Sequence, residues 1–79
     1  MRYIAKLTDT FGGEPNFGWV KSVTFEAAAD IDSVLLMYRA CEALGLSRFD
    51  WGILYDGVIL ECAPVHDDVN LIMFVEEYE

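Results

Sequence analysis

The fold is indicated most clearly by the stretch WGILYDGVILEC, residues 51–62. Its central dipeptide, Asp56-Gly57, is the one preferred in two-residue type I′ hairpin turns, where both turn residues have positive φ. Such a turn predicts the cross-strand pairs Tyr55 with Val58, Ile53 with Leu60 and Trp51 with Cys62. These six side chains would share one apolar face, opposite Leu54, Ile59 and Glu61. The stretch therefore predicts an antiparallel hairpin with one face in the core.

Three further strands are predicted on either side of this hairpin. Residues 2–8 and 19–25 alternate between apolar and polar side chains, which is typical of strands with one buried face. Lys21 interrupts the apolar face of the second strand, so it either snorkels or marks a sheet edge. Residues 69–75 are apolar on both faces, as in a central strand. Pro64 is expected to end the strand before it.

One helix is predicted between the second and third strands, over residues 30–45. Asp30 or Asp32 can cap its start, and Gly45 suits the left-handed residue that ends a helix. Its apolar positions at helical spacing are Ile31, Val34, Tyr38, Cys41 and Gly45, with Leu35, Met37 and Leu44 widening the stripe. The order β-β-α-β-β-β predicts a single α+β domain over residues 1–79, an antiparallel sheet with one helix packed on one face.

Residues 10–18, TFGGEPNFG, are predicted to form a loop between the first two strands, since glycine and proline interrupt regular structure there. Phe11, Phe17 and Trp19 lie in or beside this segment. They could anchor a binding loop, cap the small core, or belong to a flexible connection. The segment lacks the Gly-Lys-Ser/Thr ending of a phosphate-binding loop, and Glu14 would repel a phosphate.

The chain is strongly acidic, with 14 Asp and Glu against 5 Lys and Arg, a net charge of −9 over 79 residues. Such a protein repels nucleic acids and anionic membranes and is drawn to basic protein surfaces. Solubility is the alternative explanation for the acidity. Carboxylates on a rigid fold can also imitate backbone phosphates. The candidate residues are Asp30, Asp32, Asp56, Glu61, Asp67, Asp68, Glu76, Glu77 and Glu79.

The chain is also unusually apolar, at 54% against roughly 45–50% for an average soluble domain. One helix covers only one face of a sheet. The other face is predicted to carry the apolar residues Ile4, Val20, Leu54, Ile59, Ile72 and Phe74. A patch of that size usually marks an interface, so a homodimer or a docking surface for a partner is expected.

The sequence offers no arrangement of catalytic or metal-ligating residues. Cys41 and Cys62 lie in apolar stretches and are predicted to be buried free thiols, with a disulfide between them as the alternative. His66 is the only histidine, and zinc needs four ligands at suitable spacing. No cofactor and no enzyme activity are therefore expected. The N-terminus lacks a signal-peptide pattern and no apolar run is long enough for a membrane span, so a cytoplasmic location is expected.

Residues 8–20, TDTFGGEPNFGWV, resemble a class of small phage-encoded proteins that often carry a Gly-Glu-x-Asn-aromatic-x-Trp stretch after the first strand. In size and acidity the whole chain also resembles anti-CRISPR proteins and other phage inhibitors of host defence. This resemblance implies a stoichiometric inhibitor that binds a CRISPR effector or another nuclease complex in the host cytoplasm. It transfers no functional residue. The alternative is a small homodimeric phage accessory or structural protein.

Overall fold

The helix and five strands follow the order predicted from the sequence. They are β1 (Arg2–Phe11), β2 (Glu14–Glu26), α1 (Ser33–Leu44), β3 (Trp51–Asp56), β4 (Leu60–Pro64) and β5 (Leu71–Glu77). The structure, a computed structural model, describes residues 1–11, 14–47, 50–66 and 70–78, and gives the backbone alone for residues 11 and 14–20. The α+β class with a helix packed on an antiparallel sheet is confirmed.

The five strands form one antiparallel sheet in the order β2-β1-β5-β4-β3. The central position predicted for the last strand is confirmed, because β5 lies between β1 and β4, and Ile72, Met73 and Val75 are buried. This strand covers residues 71–77 rather than the predicted 69–75. Lys21 lies on the edge strand β2, as expected, and its Nζ donates to the carbonyl oxygen of Leu44 at 3.0 Å.

The helix α1 connects the two edge strands and crosses one face of the sheet. It begins at Ser33, three residues later than predicted, and Asp32 Oδ1 accepts from the Leu35 N–H at 3.0 Å. Gly45 has φ 75°, a left-handed conformation, and the Leu46 N–H donates to the carbonyl oxygen of Cys41 at 2.8 Å. These two ends are an N-cap and a Schellman-type C-cap, so Asp32 and Gly45 have their predicted roles.

The buried stripe of α1 differs from the predicted one. Its members are Met37, Ala40, Cys41 and Leu44. Val34 and Leu35, which were expected in the stripe, are 46% and 52% exposed. The small Ala40 is fully buried within the core cluster, so a large side chain there would hold the helix further from the sheet. On the facing sheet, Tyr3 stacks on Phe25 with ring centroids 5.8 Å apart.

The register of the β3–β4 hairpin contradicts the predicted two-residue turn. Asp56 pairs with Leu60, Tyr55 with Glu61 and Ile53 with Cys62, so the turn contains residues 57–59 and Leu54 is an extra residue in β3. Gly45 alone among the described residues has positive φ, which excludes a type I′ turn at Asp56-Gly57. The predicted pairs Tyr55 with Val58, Ile53 with Leu60 and Trp51 with Cys62 are therefore wrong.

The cause of the different register lies in β5. Leu60 pairs with Val75 and Cys62 with Met73, so both β4 residues face the helix-covered core. Because Leu54 is an extra residue, the alternation of inward and outward side chains is reversed for the residues of β3 that follow it. Tyr55 and Val58, which were expected in the core, are 60% and 97% exposed.

The first hairpin is longer than predicted. Strand β1 continues to Phe11 and β2 begins at Glu14, so most of the expected loop over residues 10–18 is strand. Thr10 pairs with Pro15, and register shifts lie on either side of Thr8. Bulges of this kind, on an edge strand that tolerates proline, allow a glycine- and proline-containing segment to stay in the sheet.

Candidate functional site

A groove of about 630 Å³ opens between the start of α1 and the turn that joins β3 to β4. Buried apolar side chains from three strands, Tyr3, Leu60 and Val75, contribute its floor. Acidic residues Asp56 and Glu77 line it as well, together with the highly exposed Val58. The volume lies within the range of ligand-binding clefts, and the lining combines apolar surface with carboxylates.

The acids of the groove are positioned by the ends of two strands. Asp56 pairs with Leu60 as the last residue of β3. Glu77 pairs with Tyr3 as the last residue of β5. Because these ends lie on the side of the sheet where α1 begins, the two carboxylates and the helix start border one groove. Glu76 also borders it, but its pairing with Ile4 places its side chain on the opposite face of the sheet, where its Oε1 lies 3.4 Å from Lys6 Nζ.

The acids predicted to form one binding surface are only partly brought together. Asp30 and Asp32 precede Ser33, which lines the groove, but neither of them is among its lining residues. Glu61 lies on the opposite face of the sheet, paired with Phe74 of β5. Asp67, Asp68 and Glu79 lie outside the described residues. Asp56 and Glu77 therefore form the centre of the candidate site.

The lysine and arginine side chains within the described ranges are all engaged by the chain itself. Arg2 Nε lies 3.5 Å from Glu26 Oε1, and Arg39 Nη2 donates to the Glu26 carbonyl at 2.9 Å. Lys6 contacts Glu76, and Lys21 donates to the Leu44 carbonyl. Within those ranges, neither Asp56 nor Glu77 forms an ion pair. The carboxylates of Asp56 and Glu77 are therefore not compensated by a neighbouring lysine or arginine that the structure describes.

The sheet face opposite α1, called the outer face here, carries a smaller apolar patch than predicted. Leu54 and Ile59 are exposed, Ile4 and Phe74 are half-buried, and Ile72 is buried. The side chain of Val20 lies outside the described part. A shallow groove of about 340 Å³ is lined by Tyr55, Val58, Ile59, Glu61 and Phe74.

Tyr55 and Val58 are the members of this patch that sequence reasoning missed. The Asp-Gly signal is local and assigned both residues to the core. The observed register depends instead on Leu60 and Cys62 facing β5, which is a contact between distant parts of the chain. The longer turn is favoured by one sequence signal, the need for the apolar residues of β4 to lie on the same face as those of a central β5.

Cys41 and Cys62 are free thiols, and both are buried, as the preferred interpretation of the sequence has it. Burial raises the pKa of Cys41 to about 11. Burial raises the pKa of Cys62 to about 12, with smaller contributions from Cys41 and Asp56. Because the thiolate is the reactive form, neither side chain is activated as a nucleophile. His66 is exposed, with its Nε2 3.5 Å from Asp50 Oδ1.

No three His, Cys, Asp or Glu side chains in the described part of the chain are grouped so that they could hold a metal ion. Within residues 1–11, 14–47, 50–66 and 70–78, no helix has the length and apolar character needed to cross a membrane. The aromatic side chains of Phe11, Phe17 and Trp19 fall outside the described part, so a recognition role for them stays a prediction.

Comparison of the chain with protein-family models, with curated proteins and with solved structures gives no match. The resemblance to small phage-encoded proteins therefore rests on residues 8–20, the resemblance to phage inhibitors rests on size and acidity alone, and both stay predictions.

Proposed function

We propose that this protein is a non-enzymatic binding protein whose acidic groove receives a basic segment of another protein. The observation that supports this most directly is the position of Asp56 and Glu77 beside an apolar floor, without a lysine or arginine partner among the described residues. A lysine or arginine fits such a groove because its aliphatic stem covers apolar surface while its charged end reaches a carboxylate.

The partner is proposed to be a protein that itself binds nucleic acid through a basic surface. A surface that attracts phosphates also attracts correctly spaced carboxylates, and complementary charge speeds association and favours this partner over others. With a net charge of −9 the chain does not bind nucleic acid directly. By occupying the basic surface, the protein would exclude the nucleic acid and act stoichiometrically, without a cofactor.

A host defence complex that targets nucleic acids, such as a CRISPR effector, is the partner class to which the resemblance points. The protein would then be an inhibitor encoded by a phage or another mobile element and would act in the host cytoplasm. A single exposed ion pair contributes only about 0.2–1 kcal/mol, so binding of this kind needs several acids and the apolar floor together. The groove has both.

The experiment compares two variants of equal net charge. Asp56→Lys with Glu77→Lys reverses the groove, and Glu42→Lys with Asp50→Lys reverses two exposed acids that do not line it. The tagged protein captures partners from cells of its natural host, and mass spectrometry identifies them. Affinity is then measured for the purified partner and for a short arginine-rich peptide.

We expect the groove variant to raise the Kd at least about tenfold, the control to change it less than about threefold, and added nucleic acid to compete. Equal weakening by both variants would show that only net charge matters and would contradict a role for the groove. A partner that binds wild type and groove variant equally, or that nucleic acid fails to displace, would contradict the proposed function.

A further inference from the structure

The outer face differs in charge from the rest of the molecule. The strand register places Arg2, Lys6, Glu26, Glu61 and Glu76 on it. Two bases against three acids give this face a net charge of −1, whereas the described side chains together comprise ten acids and four bases, a net charge of −6. Both bases also lie beside acids on the same face, Arg2 next to Glu26 and Lys6 next to Glu76. Two copies of the chain therefore repel each other less through these faces than their overall charge suggests.

The shape of the outer face near the β3–β4 turn is suited to pairing with itself. Phe74, Glu61 and Tyr55 form a row across three strands, and the shallow groove lies along this row. Val58, which is 97% exposed, projects from the turn at the border of the same groove. A twofold axis needs one patch that contains both the projecting and the receiving surface, and this patch contains both.

We propose that the outer face of the sheet, at its β3–β4 end, binds the same face of a second copy of this chain. Each Val58 would enter the groove of the other copy, beside Phe74. The near-neutral charge favours this occupant over a basic partner, which the acidic groove on the other side attracts. A chain of this length has a small core, and burying an apolar patch between copies adds stability that the core alone lacks.

The size of the patch indicates a dimer of moderate affinity. A stable interface usually buries about 800 Å² per partner, which is more than the exposed side chains at the turn supply alone. The interface must therefore also include, at its centre or its rim, the half-buried Ile4 and Phe74 and the ion pair between Lys6 and Glu76. We expect a Kd between about 1 and 100 µM, within the reach of sedimentation velocity.

The experiment measures sedimentation of wild type, Leu54→Glu, Ile59→Glu and the control Leu35→Glu over a range of concentrations. Leu54 and Ile59 are 65% and 41% exposed, and Leu35 is 52% exposed on the helix. Each variant adds one charge at an exposed site, and circular dichroism checks that it folds.

We expect both outer-face variants to raise the dimer Kd at least about tenfold and the control to change it less than about twofold. A monomeric wild type at every concentration, or equal disruption by Leu35→Glu, would overturn the proposal.

A second readout does not depend on any variant. The methyl resonances of Val58 should shift as the concentration passes the dimer Kd, while those of Val34 on the helix should not. Constant Val58 shifts during dimerisation would place the interface elsewhere and refute the proposal. Neither Leu54 nor Ile59 lines the acidic groove, so monomeric variants that still bind the basic peptide separate this inference from the proposed function.

Discussion

At the scale of single residues, the two thiols show most directly what burial does to chemistry. Cys41 and Cys62 are fully buried, and their pKa values are raised from the ordinary 9.0 to about 11 and about 12. The cause is the same in both: an apolar environment disfavours the charged thiolate. At neutral pH both thiols therefore stay protonated and should react with thiol reagents only after unfolding.

The raised pKa values predict a loss of stability in alkali. Below pH 9 the thiols are protonated in the folded and unfolded states, so the stabilising effect is fully present. Above pH 9 the unfolded chain releases these protons while the folded chain keeps them, so stability falls as the pH rises toward 11 and 12. Each thiol contributes at most about 1.4 kcal/mol per pH unit. Urea unfolding between pH 8 and pH 10.5 measures the fall.

The control for this prediction is the double variant Cys41→Ala with Cys62→Ala. It should be less stable at every pH because it leaves cavities, yet its stability should fall less steeply above pH 9. All other ionisable side chains are the same in the two proteins, so a difference in slope reports the two thiols. A double variant with the same slope as wild type would show that the thiols are not the cause.

At the scale of elements, the start of α1 combines a structural and an electrostatic role. Replacing Asp32 with alanine should cost about 1 kcal/mol of stability, because its Oδ1 accepts the Leu35 N–H. The matched control is Asp30→Ala, which removes the same charge two residues earlier at an exposed position and should change stability by less than about 0.5 kcal/mol. Equal effects in urea unfolding would show that charge near the helix, rather than the cap, is responsible.

The elements also show which features can be predicted from sequence. Asp32 and Gly45 were predictable because a cap depends on a few adjacent residues. The register of β3 with β4 was not, because Leu60 and Cys62 must face Val75 and Met73 on a strand that comes later in the chain. Local turn preference was outweighed by packing between distant residues, a common outcome for strands.

The candidate site shows the same difference between what neighbouring residues determine and what the topology determines. Asp56 and Glu77 were recognisable as acids, but the topology decides that they share a groove with the helix start. Glu61 was named with them as a candidate, but the predicted hairpin already placed it on the opposite face, and the structure has it there, against Phe74. The apolar patch was predicted to include Ile72, which is buried, and to exclude Tyr55, which is exposed.

At the scale of the whole molecule, acidity and apolar surface are separated. The outer face is nearly neutral, so most of the net charge of −6 carried by the described side chains lies elsewhere on the molecule. A protein with this division can pair through one side and still present carboxylates on the other. In such a dimer each copy would still present Asp56 and Glu77, although Val58 at the border of the acidic groove would be buried, so a basic partner with two sites would bind more tightly by multivalency.

This separation predicts opposite responses to salt. Raising NaCl from about 0.05 M to about 0.5 M shortens the screening length from more than 10 Å to less than 5 Å. Binding of an arginine-rich peptide to the groove should weaken at least about tenfold, because it depends on attraction between exposed charges. The dimer should stay constant or tighten, because screening reduces repulsion between two copies of net charge −9 and leaves apolar contacts intact. Fluorescence anisotropy and sedimentation velocity measure the two Kd values in the same buffers. If both associations weakened together, ion pairs would hold the copies together, and the neutral outer face would not be their interface.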